Sequence, residues 1–248
     1  MSKVTLEAHD AVAVLRLNNG VTNAISPELA DDLAKALNRT KSEFKGMVLA
    51  GGDKFFCIGL DLPALLQLDR QDMIEFYARF TQVILDLYTL PVPTACAING
   101  HATAGGAIFA TSCDFRFVSK GRRFIGFNEV KIGVPVPYLA DIILRQIIGD
   151  RYATELVFTG EFVEPEEAKR IGLVHDVFES EDLEEKAVAK IEELVALPPY
   201  GLPAIKNYRV EAVKSRYEKM RSTDADVFLN CWFDPAVQAL LQEAAKKF

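Results

Sequence analysis

The amino-acid sequence predicts an α/β core with a largely parallel sheet, followed by a helical C-terminal region. Two patterns carry this expectation. As far as about residue 119, short apolar or alternating runs suited to strands recur between helical stretches, the order expected of strands laid side by side through helical crossovers. From about residue 139 onward, apolar residues recur at helical spacing. No low-complexity linker or internal repeat separates the two parts. We therefore expect residues 1–190 to form the core and residues 191–248 a helical region that packs on itself or on a neighbour.

The elements follow in order. Residues 4–7 and 12–17 alternate or run apolar around His9-Asp10, which predicts a β-hairpin. Ser26 suits an N-cap and Pro27 the first helical position, and Leu29, Leu33, Ala36 and Leu37 extend an apolar stripe to about residue 38. Residues 46–50 read as a buried strand ending in the turn Gly51-Gly52-Asp53. A helix over 72–87 and a strand over 94–98 repeat the pattern, and Asn99-Gly100 marks a turn. A short apolar helix then starts at Ala104-Gly105-Gly106 and runs toward Ser112, followed by a strand over 115–119. Helices are expected at 139–148, 152–158, 165–170, 183–197, 203–215, 225–231 and 235–247. The apolar stretches Val227-Phe228-Leu229 and Trp232-Phe233 suggest a buried subunit interface.

Composition narrows the function. Half of the 248 residues are apolar and a quarter charged, as in ordinary globular proteins. A formal charge of −7 argues against a nucleic-acid binder, although local cations or helix N-termini can still hold an anionic ligand. Cys57, Cys96, Cys113 and Cys231 are widely spaced, so four reduced thiols are expected. No run approaches the ~18 apolar residues of a membrane span, and no signal core, transit pattern or peroxisomal tail is present. A cytoplasmic location is the default.

Three segments stand out from plain scaffold. Phe55-Phe56-Cys57-Ile58-Gly59-Leu60-Asp61-Leu62 is an apolar run broken by a glycine that lets backbone approach a ligand; its plain reading is a core loop ending in an N-capping Asp61. Asn99-Gly100-His101-Ala102-Thr103-Ala104-Gly105-Gly106 leads small residues into a helix start, where free N–H groups suit an oxyanion; its plain reading is a tight turn. In Ile125-Gly126-Phe127-Asn128-Glu129-Val130 one acid sits among apolar residues, and burial would raise its pKa toward that of a general base. The plain alternative pairs Glu129 with Lys131 at the surface. His9, His101 and His175 form no metal-binding pattern, and Ser112 and Ser119 lack a nucleophile-elbow context. Taken singly, none of the three segments decides the function.

Together, in this order, they resemble the crotonase (enoyl-CoA hydratase/isomerase) family. The resembling motifs are Asn23-Ala24, Phe56-Cys57-Ile58-Gly59-Leu60-Asp61, residues 99–106 leading to Cys113-Asp114, and the later Gly160, Glu166-Glu167-Ala168 and Ile171-Gly172-Leu173-Val174. The resemblance implies a spiral of ββα turns with a helical C-terminal region, assembled as a homotrimer or hexamer. It implies an acyl-CoA thioester substrate, with no separate cofactor and no metal. Oxyanion-hole donors fall on the backbone N–H groups of Leu60 and Gly105, each worth roughly 3 kcal/mol of barrier lowering. Substrate contacts fall on Ala24, Cys57, Ile58, Gly59, Leu60, Asp61, Gly105 and Asn128.

The acids separate reactions within the family. Its hydratases use two glutamates, whose positions fall here on Ile108 and Glu129, and Asn128 stands where a proline is usual. One retained acid resembles the Δ3,Δ2-enoyl-CoA isomerases, with Glu129 as the proton carrier. Other single-acid activities stay open: acyl-CoA decarboxylation, dienoyl-CoA isomerisation and thioester hydrolysis. So does a non-catalytic CoA-ester- or RNA-binding role. Tyr138 discriminates among them, because a second polar group in the acyl pocket would favour decarboxylation or hydrolysis.

Overall fold

A computed structural model describes residues 2–246. The hairpin forms as expected, from β1 (Val4–His9) and β2 (Val12–Leu17), with Asp10 in the left-handed region at the turn. Helix α1 (Pro27–Glu43) starts on Ser26, whose hydroxyl accepts from Leu29 N–H at 3.3 Å. It runs five residues past the expected end at 38. Its last turns are polar, held by Thr40 bonding back to the Ala36 carbonyl and by the Arg39–Glu43 pair.

The chain then winds in repeating turns: a strand of a large sheet, a strand of a small sheet, then helix. The first turn is β3 (Gly46–Ala50), β4 (Phe55–Cys57), the short α2 (Leu62–Leu65) and α3 (Arg70–Tyr88). The second is β5 (Thr94–Ile98), β6 (His101–Thr103) and α4 (Gly105–Thr111). The third is β7 (Phe115–Ser119), β8 (Ile125–Gly126) and α5 (Tyr138–Thr159). After these come β9 (Phe162–Val163), α6 (Pro165–Arg170), β10 (Asp176–Phe178), α7 (Leu183–Val195), α8 (Gly201–Trp232) and α9 (Pro235–Ala245).

The large sheet has the order β1-β2-β3-β5-β7-β10 and is parallel beyond the hairpin. Both faces are covered, because alternate side chains of a strand point to opposite faces. Val12, Val14, Val48 and Ala95 pack against Leu183, Ala187 and Ile191 of α7, whereas Ala13, Leu15, Met47 and Leu49 join the main core. The small sheet, β4-β6-β8-β9, carries the segments flagged for chemistry. Its strands are two or three residues long, too short to leave a period-2 signature, so the sequence reading missed them along with β10.

Two other expectations change. Instead of separate helices at 203–215 and 225–231, α8 is one helix of 32 residues. The stretch between them reads as polar because most of it lies on the exposed face of the helix, with Tyr217 and Asp224 turned inward. Asp224 is buried and accepts hydrogen bonds from Tyr77 Oη (3.1 Å) and Tyr138 N–H (2.9 Å). The two helices expected between 139 and 158 are the halves of α5, broken at Gly149 with φ 75°.

The expected boundary after residue 190 falls inside α7, which packs on the large sheet. Helices α8 and α9 pack on the core of their own chain, where Tyr77 and Phe228 stack with centroids 4.1 Å apart. Residue 247, the expected end of the last helix, lies outside the described residues. Among those described, no helix is long and apolar enough to cross a membrane.

Candidate active site

The site is assembled where three turns of the spiral meet the segment before α1 and the C-terminal helices. After β4 the chain forms a single parallel bridge with Ile25. Ile25 N–H donates to Gly59 O (2.8 Å) and Asp61 N–H to Ile25 O (3.1 Å). Successive peptides of an extended chain face opposite ways, so the Leu60 N–H points away from Ile25 and has no backbone partner among the described residues. Asp61 turns the chain into α2, its carboxylate accepting from Ala64 N–H at 3.2 Å. Asn23, at φ 49°, braces the loop by accepting from Asn19 N–H and donating to Phe56 O.

The second turn brings Gly105 to the same place. Ala104 sits at φ 49°, ψ −123°, an unusual conformation for a residue with a side chain, and its N–H is held by Gly126 O at 2.8 Å. Helix α4 begins immediately after, so the Gly105 N–H belongs to the first turn and lacks an intrahelical acceptor.

The third turn supplies the acid. Pairing of β8 with β6 sets Gly126 beside Thr103 and carries the chain through Asn128 into a 3₁₀ turn, Glu129–Ile132, closed by left-handed Gly133. Glu129 is only 7 % exposed. Its Oε2 and the Asn128 Oδ1 find no hydrogen-bond partner among the described residues. Loss of water around the carboxylate raises its pKa to about 7, opposed only by a backbone hydrogen bond at Glu129 itself. The surface pairing with Lys131 does not form, because Lys131 bonds Glu161 at 2.7 Å.

These groups share one cavity of about 670 Å³. Of the residues expected at the site, Ile58, Leu60, Gly105, Asn128 and Glu129 line it. Ala24, Cys57, Gly59 and Asp61 do not, and stand behind the wall as its support. Cys57 is fully buried and its thiol is pushed up to about 12, which leaves no thiolate to act as a nucleophile. The same cavity is lined by apolar side chains, Ile108, Phe80, Val134 and, from α8, Phe228 and Trp232. The last two were expected in a subunit interface but are buried within the chain. Only tertiary packing brings them here, although their apolar spacing on a helix was visible. The sequence reading also missed Lys54 and Lys131 at this cavity, because isolated surface lysines carry no pattern.

Tyr138 does not line this cavity but an adjoining one of about 630 Å³ that shares Val134 and Pro135 with it, and its hydroxyl accepts from Arg216 Nε at 2.6 Å. His101 is structural, its Nδ1 accepting from Phe124 N–H at 2.9 Å. Among the described residues no cluster of His, Cys, Asp or Glu could hold a metal.

The family model described as enoyl-CoA hydratase/isomerase matches residues 7–242. The chain belongs to the enoyl-CoA hydratase/isomerase family. Its fold is that of the crotonases: it superposes on the crystal structure of human mitochondrial delta3-delta2-enoyl-CoA isomerase with a TM-score of 0.94, at 27% identity, covering 99% of this chain and 97% of that one. Enoyl-CoA delta isomerase 1 of Homo sapiens is 28% identical over 95% of this chain and 80% of its own. A putative enoyl-CoA hydratase of Thermus thermophilus is 36% identical over 77% of each chain. The (E)-benzylidenesuccinyl-CoA hydratase of Thauera aromatica is 34% identical over 84% of this chain and 82% of its own. Relatives in the family thus carry both isomerase and hydratase names, and the choice between the two reactions falls to the chemistry of the cavity.

Proposed function

We propose that this family member converts 3-enoyl-CoA esters to 2-trans-enoyl-CoA. The observation that carries the reading is a cavity lined by one carboxylate, Glu129, with an unpartnered oxygen, and by Ile108 among largely apolar side chains. Water addition needs a second polar group to hold and polarise the water, and isoleucine offers none. A proton shuttle needs one acid only.

The C2 proton of a 3-enoyl thioester is flanked by the carbonyl and the double bond, so its removal leaves a delocalised dienolate. Glu129 takes that proton, and negative charge develops on the thioester oxygen. The N–H groups of Leu60 and Gly105 are the donors proposed to receive it, each contributing roughly 3 kcal/mol to the transition state. The Glu129 carboxylic acid then returns the proton at C4, the double bond shifts to C2–C3, and the carboxylate is restored. An acid with a pKa near 7 serves both directions at neutral pH, because donor and acceptor forms are both accessible. The Asn128 carboxamide is a further group able to hydrogen-bond the acid or the thioester. Lys54 and Lys131 suit the phosphates of coenzyme A. Tyr138, which lines the adjoining cavity and is bonded by Arg216, gives no support to the decarboxylation or hydrolysis reading.

The test is conversion of a 3-enoyl-CoA in deuterated water by the wild type and Glu129→Gln. Formation of the 2-enoyl ester by the wild type, lost in the variant and without a hydrated product, supports the reading. A wild type that hydrates 2-enoyl-CoA but does not shift the double bond overturns it.

A further inference from the structure

A third cavity, of about 800 Å³, shares no lining residue with the one that holds Glu129. It lies at the start of β5 and β7, between α5 and the first turns of α8. Three cations line it, Arg116, Lys206 and Arg209, against one carboxylate, Asp114. In a chain of net charge −7 that local excess is unusual.

The carboxylate is already engaged. One oxygen of Asp114 accepts from Thr94 N–H (2.9 Å), the Thr94 hydroxyl (3.0 Å) and Lys206 Nζ (2.6 Å). Lys206, 6 % exposed, also donates to Val92 O, so this pair is closed on itself. Arg116 is different. Though only 5 % exposed, it uses Nε on Leu173 O and Nη1 on Cys113 O, and its Nη2 has no partner among the described residues. Arg209 pairs with no carboxylate among the described residues. His175, which also lines the cavity, is held neutral because burial and then the Arg116 charge push it down to about 4; its Nδ1 accepts from Arg116 N–H, so its Nε2–H can donate without adding charge. An aliphatic side of the wall comes from Ile143 and Ile147 of α5 and Leu202 and Ile205 of α8, beside Tyr88, Thr111 and Gln146.

We infer that this cavity binds a small organic anion, a carboxylate carrying a short aliphatic tail. A carboxylate matches the planar donors of a guanidinium, and the tail covers the aliphatic wall. A bare phosphate would leave the apolar side uncovered. Binding here leaves the Glu129 cavity open, and the inference does not depend on the reaction proposed for that cavity.

The test is calorimetric titration of hexanoate into the full chain, its Glu129→Gln form, and the variants Arg209→Gln and Ile205→Asp. Both variant positions are exposed, Ile205 at 60 %, so neither change threatens the fold. The expected result is saturable binding, unchanged in Glu129→Gln and weakened at least about tenfold in Arg209→Gln, the effect of losing one charge-assisted hydrogen bond. Ile205→Asp should weaken it further. Absence of saturable binding overturns the inference, as does binding equally strong in both cavity variants. Inorganic phosphate binding as tightly as hexanoate overturns the assignment to carboxylates.

Discussion

Gly59 and Gly105 approach so closely that a Cβ on Gly59 would lie 3.1 Å from the Gly105 nitrogen and 2.7 Å from the Ala104 Cβ. A Cβ on Gly105 would in turn lie 2.6 Å from Ile25 Cδ1. The residues that follow or form this contact are those whose N–H groups, on Leu60 and Gly105, lack backbone partners. Absence of side chains at two positions, one after β4 and one after β6, is therefore what lets two loops from different turns of the spiral bring their donors to one cavity.

Gly59→Ala tests this relationship. Gly59 has φ +95°, which L side chains rarely adopt, so the variant is strained as well as crowded. Loss of one to a few kcal/mol of stability is expected, of the order found for a strained backbone position. If the loop withdraws the Leu60 donor, kcat should fall about 10²–10³-fold, as when one oxyanion donor is removed. Steady-state kinetics beside thermal unfolding separate the two effects; a destabilised variant with unchanged kcat would show that the contact is structural only.

The Glu129 carboxyl is raised from 4.5 to about 7 by burial. As a base it must be ionised, so kcat/KM should rise with pH and level off above about 7. Stability runs the other way. A group whose pKa is raised on folding contributes stability that is complete below its unfolded pKa and is lost as pH rises through the folded value, here between about 4.5 and 7. Glu129→Gln carries no such charge and should be more stable than the wild type at pH 8, by up to ~3 kcal/mol for a shift of this size. Its kcat should fall about 10²–10⁴-fold. Denaturant titrations at pH 5 and pH 8 give the check: the stability gain of the variant should appear only at the higher pH.

Ile108→Glu would add a second carboxylate to the lining of the Glu129 cavity. Two acids facing one cavity can hold a water between them, so water addition to 2-enoyl-CoA is expected to become measurable. Two carboxylates in one poorly solvated cavity also raise each other's pKa, so isomerisation at neutral pH should decline. Loss of the 2-enoyl absorbance with appearance of a 3-hydroxyacyl ester measures the gain. No hydration in a folded variant would mean that Ile108 does not face the reacting carbons.

Much of this site was legible in the residues themselves. Ser26-Pro27, the buried runs that became β3 and β5, and the small residues around Gly59 and Gly105 each act through local sterics, which neighbouring residues reveal. Glu129 stood out as one acid among apolar neighbours. The apolar lining of the cavity it shares includes Phe228 and Trp232, about a hundred residues away, and no local pattern reports that distance. The small sheet escaped for another reason. Strands of two or three residues are held by the loops around them, as in the Ala104–Gly126 bond, rather than by an alternation of their own. The polar break read between 215 and 225 is the exposed face of a continuous helix that carries one buried carboxylate, Asp224, on its inner side.

That carboxylate, Asp224, ties three elements together: α8 that bears it, α3 through Tyr77 Oη, and the first N–H of α5 through Tyr138. Burial raises its pKa, opposed by those two hydrogen bonds. The bonds, more than the charge, are what the fold requires of it. Asp224→Ala leaves a buried phenol and a buried N–H unpaired and should cost about 2–4 kcal/mol, a fall in Tm of several degrees for a chain of this size. Asp224→Asn should retain most of the stability, because the amide oxygen can accept from Tyr138 N–H while its NH₂ donates to Tyr77. Phe228 and Trp232 follow on the same helix and wall the Glu129 cavity, so Asp224→Ala should also raise KM for the thioester more than it lowers kcat. Thermal melts and kinetics on both variants decide it; equal losses for alanine and asparagine would mean that the negative charge, and not the pair of hydrogen bonds, anchors α8.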